Sequence, residues 1–139
     1  MVHALHEIHR VLAPGGVLID MRPLGERWQI EVASAHEIRE TGRVMDLPEQ
    51  VNDDLAANEA MKEVESRGWY ARDKEEFFPF LYSWDTPSEM EEFIEEDWAD
   101  FIELSNDVKK ATRSAWALGN ADSRVRLRMK VLLARWKKL

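Results

Sequence analysis

Residues Ala4–Met21 read ALHEIHRVLAPGGVLIDM. Leu5, Ile8, Val11 and Leu12 recur at helical spacing and make the apolar stripe of a short amphipathic helix. Pro14 cannot continue that helix, and Gly15-Gly16 turns the chain at little steric cost. Val17-Leu18-Ile19 then form an uninterrupted apolar run, the pattern of a strand covered on both faces within a parallel sheet. Helix, Pro-Gly-Gly turn and buried strand predict an α/β layer. Such a strand needs neighbours along both of its edges.

Working outward, Arg22-Pro23-Leu24-Gly25 reads as a loop. Trp28, Ile30 and Val32 then alternate with Gln29, Glu31 and Ala33, and alternation resumes around Ile38 after Ser34-Ala35. Residues 26–45 are therefore expected as an antiparallel hairpin inserted after the buried strand. Asp46-Leu47-Pro48-Glu49 has the form of a helix start, with Asp46 as N-cap, and Gly68 ends a helix running to Arg67. Trp69–Trp84 alternates through Phe78, Phe80, Tyr82 and Trp84 as a strand, with Pro79 marking a bend or an edge. Thr86-Pro87-Ser88-Glu89 opens a helix whose stripe continues through Trp98 to Ile102, and Ser105 caps another that Gly119 ends. Residues 86–119 are an inserted helical pair. In the last segment Val125, Leu127, Met129 and Val131 alternate with Arg124, Arg126, Arg128 and Lys130. That period of two favours a strand. A basic helix is the alternative, because Leu132–Trp136 breaks the alternation.

The 139 residues suffice for one domain spanning residues 1–139. No run approaches the roughly 20 apolar residues of a membrane helix, and no signal peptide is evident. The absence of cysteine excludes a disulfide framework, a thiolate metal site and a cysteine nucleophile; it fits a cytoplasmic setting. A net charge of −8 argues against a general nucleic-acid binder. The charge is uneven: residues 46–103 carry −15 and residues 104–139 carry +8. Either the two segments neutralise one another in the fold, or the basic segment meets an anionic partner.

The run Glu7-Ile8-His9-Arg10-Val11-Leu12-Ala13-Pro14-Gly15-Gly16-Val17-Leu18-Ile19 resembles the later part of class I S-adenosylmethionine-dependent methyltransferases. There a similar segment ends one helix and opens the fifth strand. The resemblance implies a remnant of a doubly wound sheet, in the order helix, strand, hairpin, helix, strand, two helices, strand. It further implies that the final strand runs antiparallel between strands five and six. In the family a Gly-rich loop and an acidic residue hold the methyl donor, because an extended cofactor needs close backbone approach and a carboxylate for its ribose. Gly15-Gly16 follows a helix and precedes a strand, the wrong context for that loop. The implied piece is the substrate-side half, without its own S-adenosylmethionine site and not catalytic alone. S-adenosylmethionine enters only if a separate chain supplies the missing half.

Candidate sites follow from chemistry and placement. Ligands in open α/β sheets gather beyond the carboxyl ends of parallel strands. Asp20 and Arg22 at the end of one strand, Tyr82 and Trp84 at the end of another, and Trp28 and His36 from the hairpin are expected to surround a small-molecule crevice. Arg22 would hold an anion there, between aromatic walls. The alternative is that the six residues pack the hairpin onto the sheet. His3, His6 and His9 recur every third residue, but His3 and His9 diverge around the helix, which leaves room only for a two-histidine site with Glu7 or an outside ligand; surface histidines without a metal are the expectation. No G-x-S-x-G elbow is present, and the carboxylates of residues 89–100 read as a solvated helix face. The apolar edge Val17-Leu18-Ile19 is expected to be covered in a symmetric homodimer, by strand pairing or by packing of the two N-terminal helices.

Overall fold

The computed structural model describes residues 1–139, and the Pro-Gly-Gly turn behaves as its chemistry requires. Helix α1 (Val2–Val11) ends before Leu12, and Gly15 adopts φ +71°, a left-handed conformation that glycine reaches without strain. Strand β1 (Val17–Ala33) follows, then β2 (Ile38–Arg43), β3 (Met45–Asp46) and α2 (Pro48–Ser66). The chain continues through β4 (Tyr70–Trp84), α3 (Pro87–Asp97), β5 (Ile102–Glu103), α4 (Asn106–Ala117) and β6 (Arg124–Lys138). The class is α+β. One sheet has strand order β2-β1-β6-β4, and β3 pairs with β5 in a second, two-stranded sheet.

The pairing is antiparallel. Gln29–Ala33 of β1 lie against β2, with a bulge between Ile30 and Glu31. The N–H of Lys138, at the end of β6, donates to the carbonyl of Gly16 just before β1 at 2.8 Å. Arg124 at the start of β6 meets Asp85 just past β4 at 2.8 Å, and Arg135 near its end meets Asp73 near the start of β4 at 2.6 Å. β6 therefore runs against both neighbours, which run parallel to each other without touching. The expected parallel pairing around β1 is corrected accordingly.

The chain divides into two compact units, the first comprising residues 1–24, 52–78 and 131–139, the second residues 25–51 and 79–130. In the first unit α1 and α2 bury Leu5, Ala60, Met61 and Val64 against Tyr70, Leu132, Ala134 and Trp136, with Leu18 packed at the margin. Tyr70 donates its hydroxyl to the Leu5 carbonyl at 3.1 Å, and burial pushes its phenol pKa up. Lys138 donates to the carbonyls of His9 and Leu12 at 2.6 and 2.8 Å, a cation placed at the carbonyl end of α1. In the second unit Trp28, Ile30 and Val32 are buried along with Met90, Ile94, Val125, Leu127 and Met129. Gly42 of β2 permits close approach of α4, since an added Cβ would lie 2.6 Å from Val108 Cγ2.

Several sequence expectations are corrected. Val17 and Ile19 are 44% and 54% exposed, so the first stretch of β1 is covered on the Leu18 side alone, whereas Ile30–Ala33 at its end are buried on both faces. Arg22–Gly25 is strand, not loop, and the first arm of the residue 26–45 hairpin is simply the continuation of β1. Asp46 is not a helix cap; it sits in β3 and accepts from the Arg27 N–H at 3.0 Å, and the helix opens at Pro48. Arg27 holds φ +51°, and that acceptor fixes its backbone N–H. The helix after Thr86 stops at Asp97, because Ile102 is taken by pairing with Asp46. The capping box at Thr86, the Ser105 cap and the final strand match the expectation. The break in alternation at Leu132 is a change of buried phase. Val125, Leu127 and Met129 are buried in the second unit, and Leu132, Ala134 and Trp136 in the first.

Candidate ligand groove

In the first unit a groove of about 160 Å³ opens among β1, α2, β4 and β6. Its β1 wall carries Asp20 and Arg22, 15% and 17% exposed. Alternation puts both on the Leu18 side of β1. The Arg22 guanidinium is committed three ways: Nε donates to Asp20 at 3.1 Å, Nη2 to Asn58 Oδ1 at 2.7 Å, and Nη1 to the Asp54 carbonyl at 3.5 Å. It ties β1 to α2 and in doing so loses most of the freedom to hold an anion that the sequence suggested.

The opposite wall comes from β4 and β6. Arg72 donates to Glu75 at 2.7 Å and lies 5.6 Å above the Trp136 ring centroid, a cation–π contact. Met61, Leu132, Ala134 and Trp136 supply the apolar lining. The Trp136 side chain is 4% exposed, and its indole N–H is buried with no acceptor. Two further lining groups, Lys62 and Glu65, stand one turn apart on α2 and form no ion pair. Neither Trp136 nor Lys62 was singled out from the sequence. The one signal available was the odd placement of Leu132–Trp136, which marks a tryptophan on the buried phase of this unit.

The six residues expected to surround one crevice fall into separate sets. Asp20 and Arg22 line the groove of the first unit. Trp28, Tyr82 and Trp84 belong to the second, where they form an aromatic cluster around α3 with Phe93 and Trp98. Tyr82 and Phe93 each meet Trp98 edge-on at 4.9 Å, and Trp28 meets it at 5.7 Å. Trp28 is 5% exposed, so its ring serves packing. His36 is exposed in the turn before β2, where its backbone N–H reaches Ser34 Oγ.

The basic final strand is neutralised by its neighbours. Arg126 and Arg128 share Glu31, Lys130 meets Glu26, Arg124 meets Asp85, and Arg135 and Lys137 share Asp73. The Arg135 hydrogen bond, then that of Lys137, holds the Asp73 carboxyl below the usual carboxylate range. Two of the helix histidines meet aromatic rings instead: His6 lies tilted 4.8 Å from the Trp69 ring, and His9 edge-on 5.3 Å from Tyr70. No three metal-ligating side chains come together, and no helix is long and apolar enough to cross a membrane.

Comparison with family models, curated proteins and solved structures returns no match. The groove and the sheet edge carry the functional argument.

Proposed function

We propose that this chain is the substrate-side portion of a methyltransferase-type sheet, a binding component that does not itself hold S-adenosylmethionine. The observation that carries this reading is the strand order: β6 runs antiparallel between β1 and β4, which run parallel. The class I methyltransferases that Glu7–Ile19 resembles place their last strand in that way between strands five and six. A cofactor cradle would need a glycine turn leading from a strand into a helix. None of the six glycines has that setting: Gly25 and Gly42 lie within strands, and the others lie after helices. The residues present do not fit the methyl donor. Isothermal titration of this chain with S-adenosylmethionine is expected to show no saturable binding at micromolar concentration. Tight binding would overturn the reading.

The second element of the proposal is self-association at the β1 edge. β2 covers β1 only over Gln29–Ala33, which leaves the stretch from Val17 without a strand on that side. The Gly16 carbonyl faces β6. Backbone direction alternates along an antiparallel strand, so the groups of Val17, Ile19 and Met21 face the open side and those of Leu18 do not. Their side chains are 44%, 54% and 65% exposed. The next residue in that row is Pro23, which has no N–H and ends the pairable edge. An antiparallel second copy with Ile19 opposite its counterpart sets each Val17 opposite a Met21 and satisfies every outward group in the row. Light scattering is expected to give a dimer for the native chain and a monomer for Ile19→Lys. A clean native monomer at micromolar concentration would refute this element alone.

A further inference from the structure

We propose that the aromatic side of β4 in the second unit is a docking surface for a proline-rich peptide segment that carries arginine or lysine. The inference stands apart from the methyltransferase reading. β4 is the last strand of its sheet, so no further strand pairs with its outer edge. Alternation sets Phe80, Tyr82 and Trp84 on one side of it. Their rings follow one another at 5.3 and 5.9 Å, and Phe93 of α3 extends the row, 5.4 Å from Trp84. Phe80 is 47% exposed, and the other three rings are half-buried. Contiguous accessible rings, unlike a single apolar side chain at a surface, mark an interaction site.

The polar tips of the rings point to an extended chain. The Tyr82 hydroxyl and the indole N–H groups of Trp84 and Trp98 bond to nothing within the chain, and unlike the buried Trp136 indole they remain open to solvent. Trp116, by contrast, donates its N–H to the Asp85 carbonyl at 3.1 Å. A polyproline II segment has no internal hydrogen bonds, so its carbonyls are free, and its prolines pack on aromatic rings. Donors set along a row of rings match both features. At about 3.1 Å per residue, a few residues of such a segment span the row. A strand added to the β4 edge would use backbone groups and leave rings and tips unmatched.

Charge selects the residues that flank the prolines. Glu96 and Asp97 lie three and four residues after Phe93 and share its side of α3. Both are exposed and neither forms an ion pair, whereas Glu91 is held by Arg113. An anionic partner, a nucleic acid included, would meet two free carboxylates there, and a basic flanking residue neutralises them.

The test uses the synthetic peptide PPLPPLPRR as probe, with the Trp84 and Trp98 indole signals of the ¹⁵N-labelled full chain followed by NMR. Both signals are expected to move saturably. PPLPPLPEE, with the charge reversed, and GGLGGLGRR, without the preformed helix, are each expected to bind at least about tenfold more weakly, a difference of about 1.4 kcal/mol. Glu96→Lys alters an exposed helix position and should weaken PPLPPLPRR while strengthening PPLPPLPEE, an exchange that loss of folding cannot imitate. No movement of the indole signals at millimolar PPLPPLPRR would overturn the proposal. So would equal affinity for the arginine and glutamate peptides, or GGLGGLGRR binding as tightly with shifts confined to β4 amides, the mark of strand addition.

Discussion

Glu31 offers the sharpest test of how the second unit is held together. Its side chain is fully buried (0% exposed) on β1, and three neighbours converge on it. Gln29 Nε2 donates to Oε2 at 2.9 Å, Arg126 Nε donates to Oε1 at 2.9 Å, and Arg128 Nη2 donates to Oε1 at 3.2 Å. Arg126 Nη2 also lies 2.6 Å from Oε1, though at an angle unsuited to a hydrogen bond. Removing the carboxylate leaves two guanidinium groups facing each other with no counter-charge. For a fully buried pair that loss is worth about 3–5 kcal/mol. Arg126 and Arg128 keep 20% and 34% exposure, so water recovers part of it. The expected cost of Glu31→Ala is about 2–3 kcal/mol, or a fall of about 8 °C in Tm for a chain of this length. Arg128→Ala leaves Glu31 with Arg126 and Gln29 and should cost only about 1 kcal/mol. Urea melts followed by circular dichroism measure both. If Glu31→Ala costs less than Arg128→Ala, the carboxylate is not the centre of the cluster and the reasoning fails.

Other expectations are independent of that cluster. Gly42→Ala should destabilise by about 1–3 kcal/mol, because its Cβ would lie 2.6 Å from Val108 Cγ2 and its φ of +156° strains any side chain, so Val108→Ala should recover only the steric part in the double variant. Lys138→Met removes the donor to the His9 and Leu12 carbonyls, so amide exchange should quicken in α1 and stay unchanged in α4. Asp73 has a folded pKa below its unfolded value, so the stability it contributes is present above about pH 4 and is lost as pH falls through the folded value. An NMR titration should find its midpoint below those of isolated carboxylates and moved upward in Arg135→Met.

Local chemistry is well written in this chain. Thr86-Pro87-Ser88-Glu89 specifies a capping box from two side chains, those of Thr86 and Glu89, and the structure contains it. Pro14-Gly15-Gly16 ends α1, and Gly68 follows α2 with φ +70°. Each of these is decided within four or five residues by donors, ring closure or backbone freedom. The period of two in Arg124–Lys130 likewise marks a strand, which pairing with β1 and β4 completes.

What failed were statements about neighbours. The Val17–Ile19 run reads as a strand covered twice, yet hydrophobicity states only what burial would favour. Whether a second layer arrives depends on helices far away in sequence, and here they cover only the Leu18 side. Ile102 continues a helical stripe on paper, but pairing with Asp46 draws it into β5. The candidate groove depends most on such long-range choices. Asp20 and Arg22 were visible as crevice candidates after an apolar run, but not their pairing with each other, and Lys62, Glu65 and Trp136 come together only when α2 and the end of β6 meet β1. The sequence by itself determined the caps, the turns and the strand and helix periods, because those energies are local. The tertiary structure alone decided which face of β1 stays bare at Val17–Met21, which acids neutralise the basic strand and which two charges in the groove remain unmatched. Those outcomes are set by pairing among segments tens of residues apart, to which local spacing is blind.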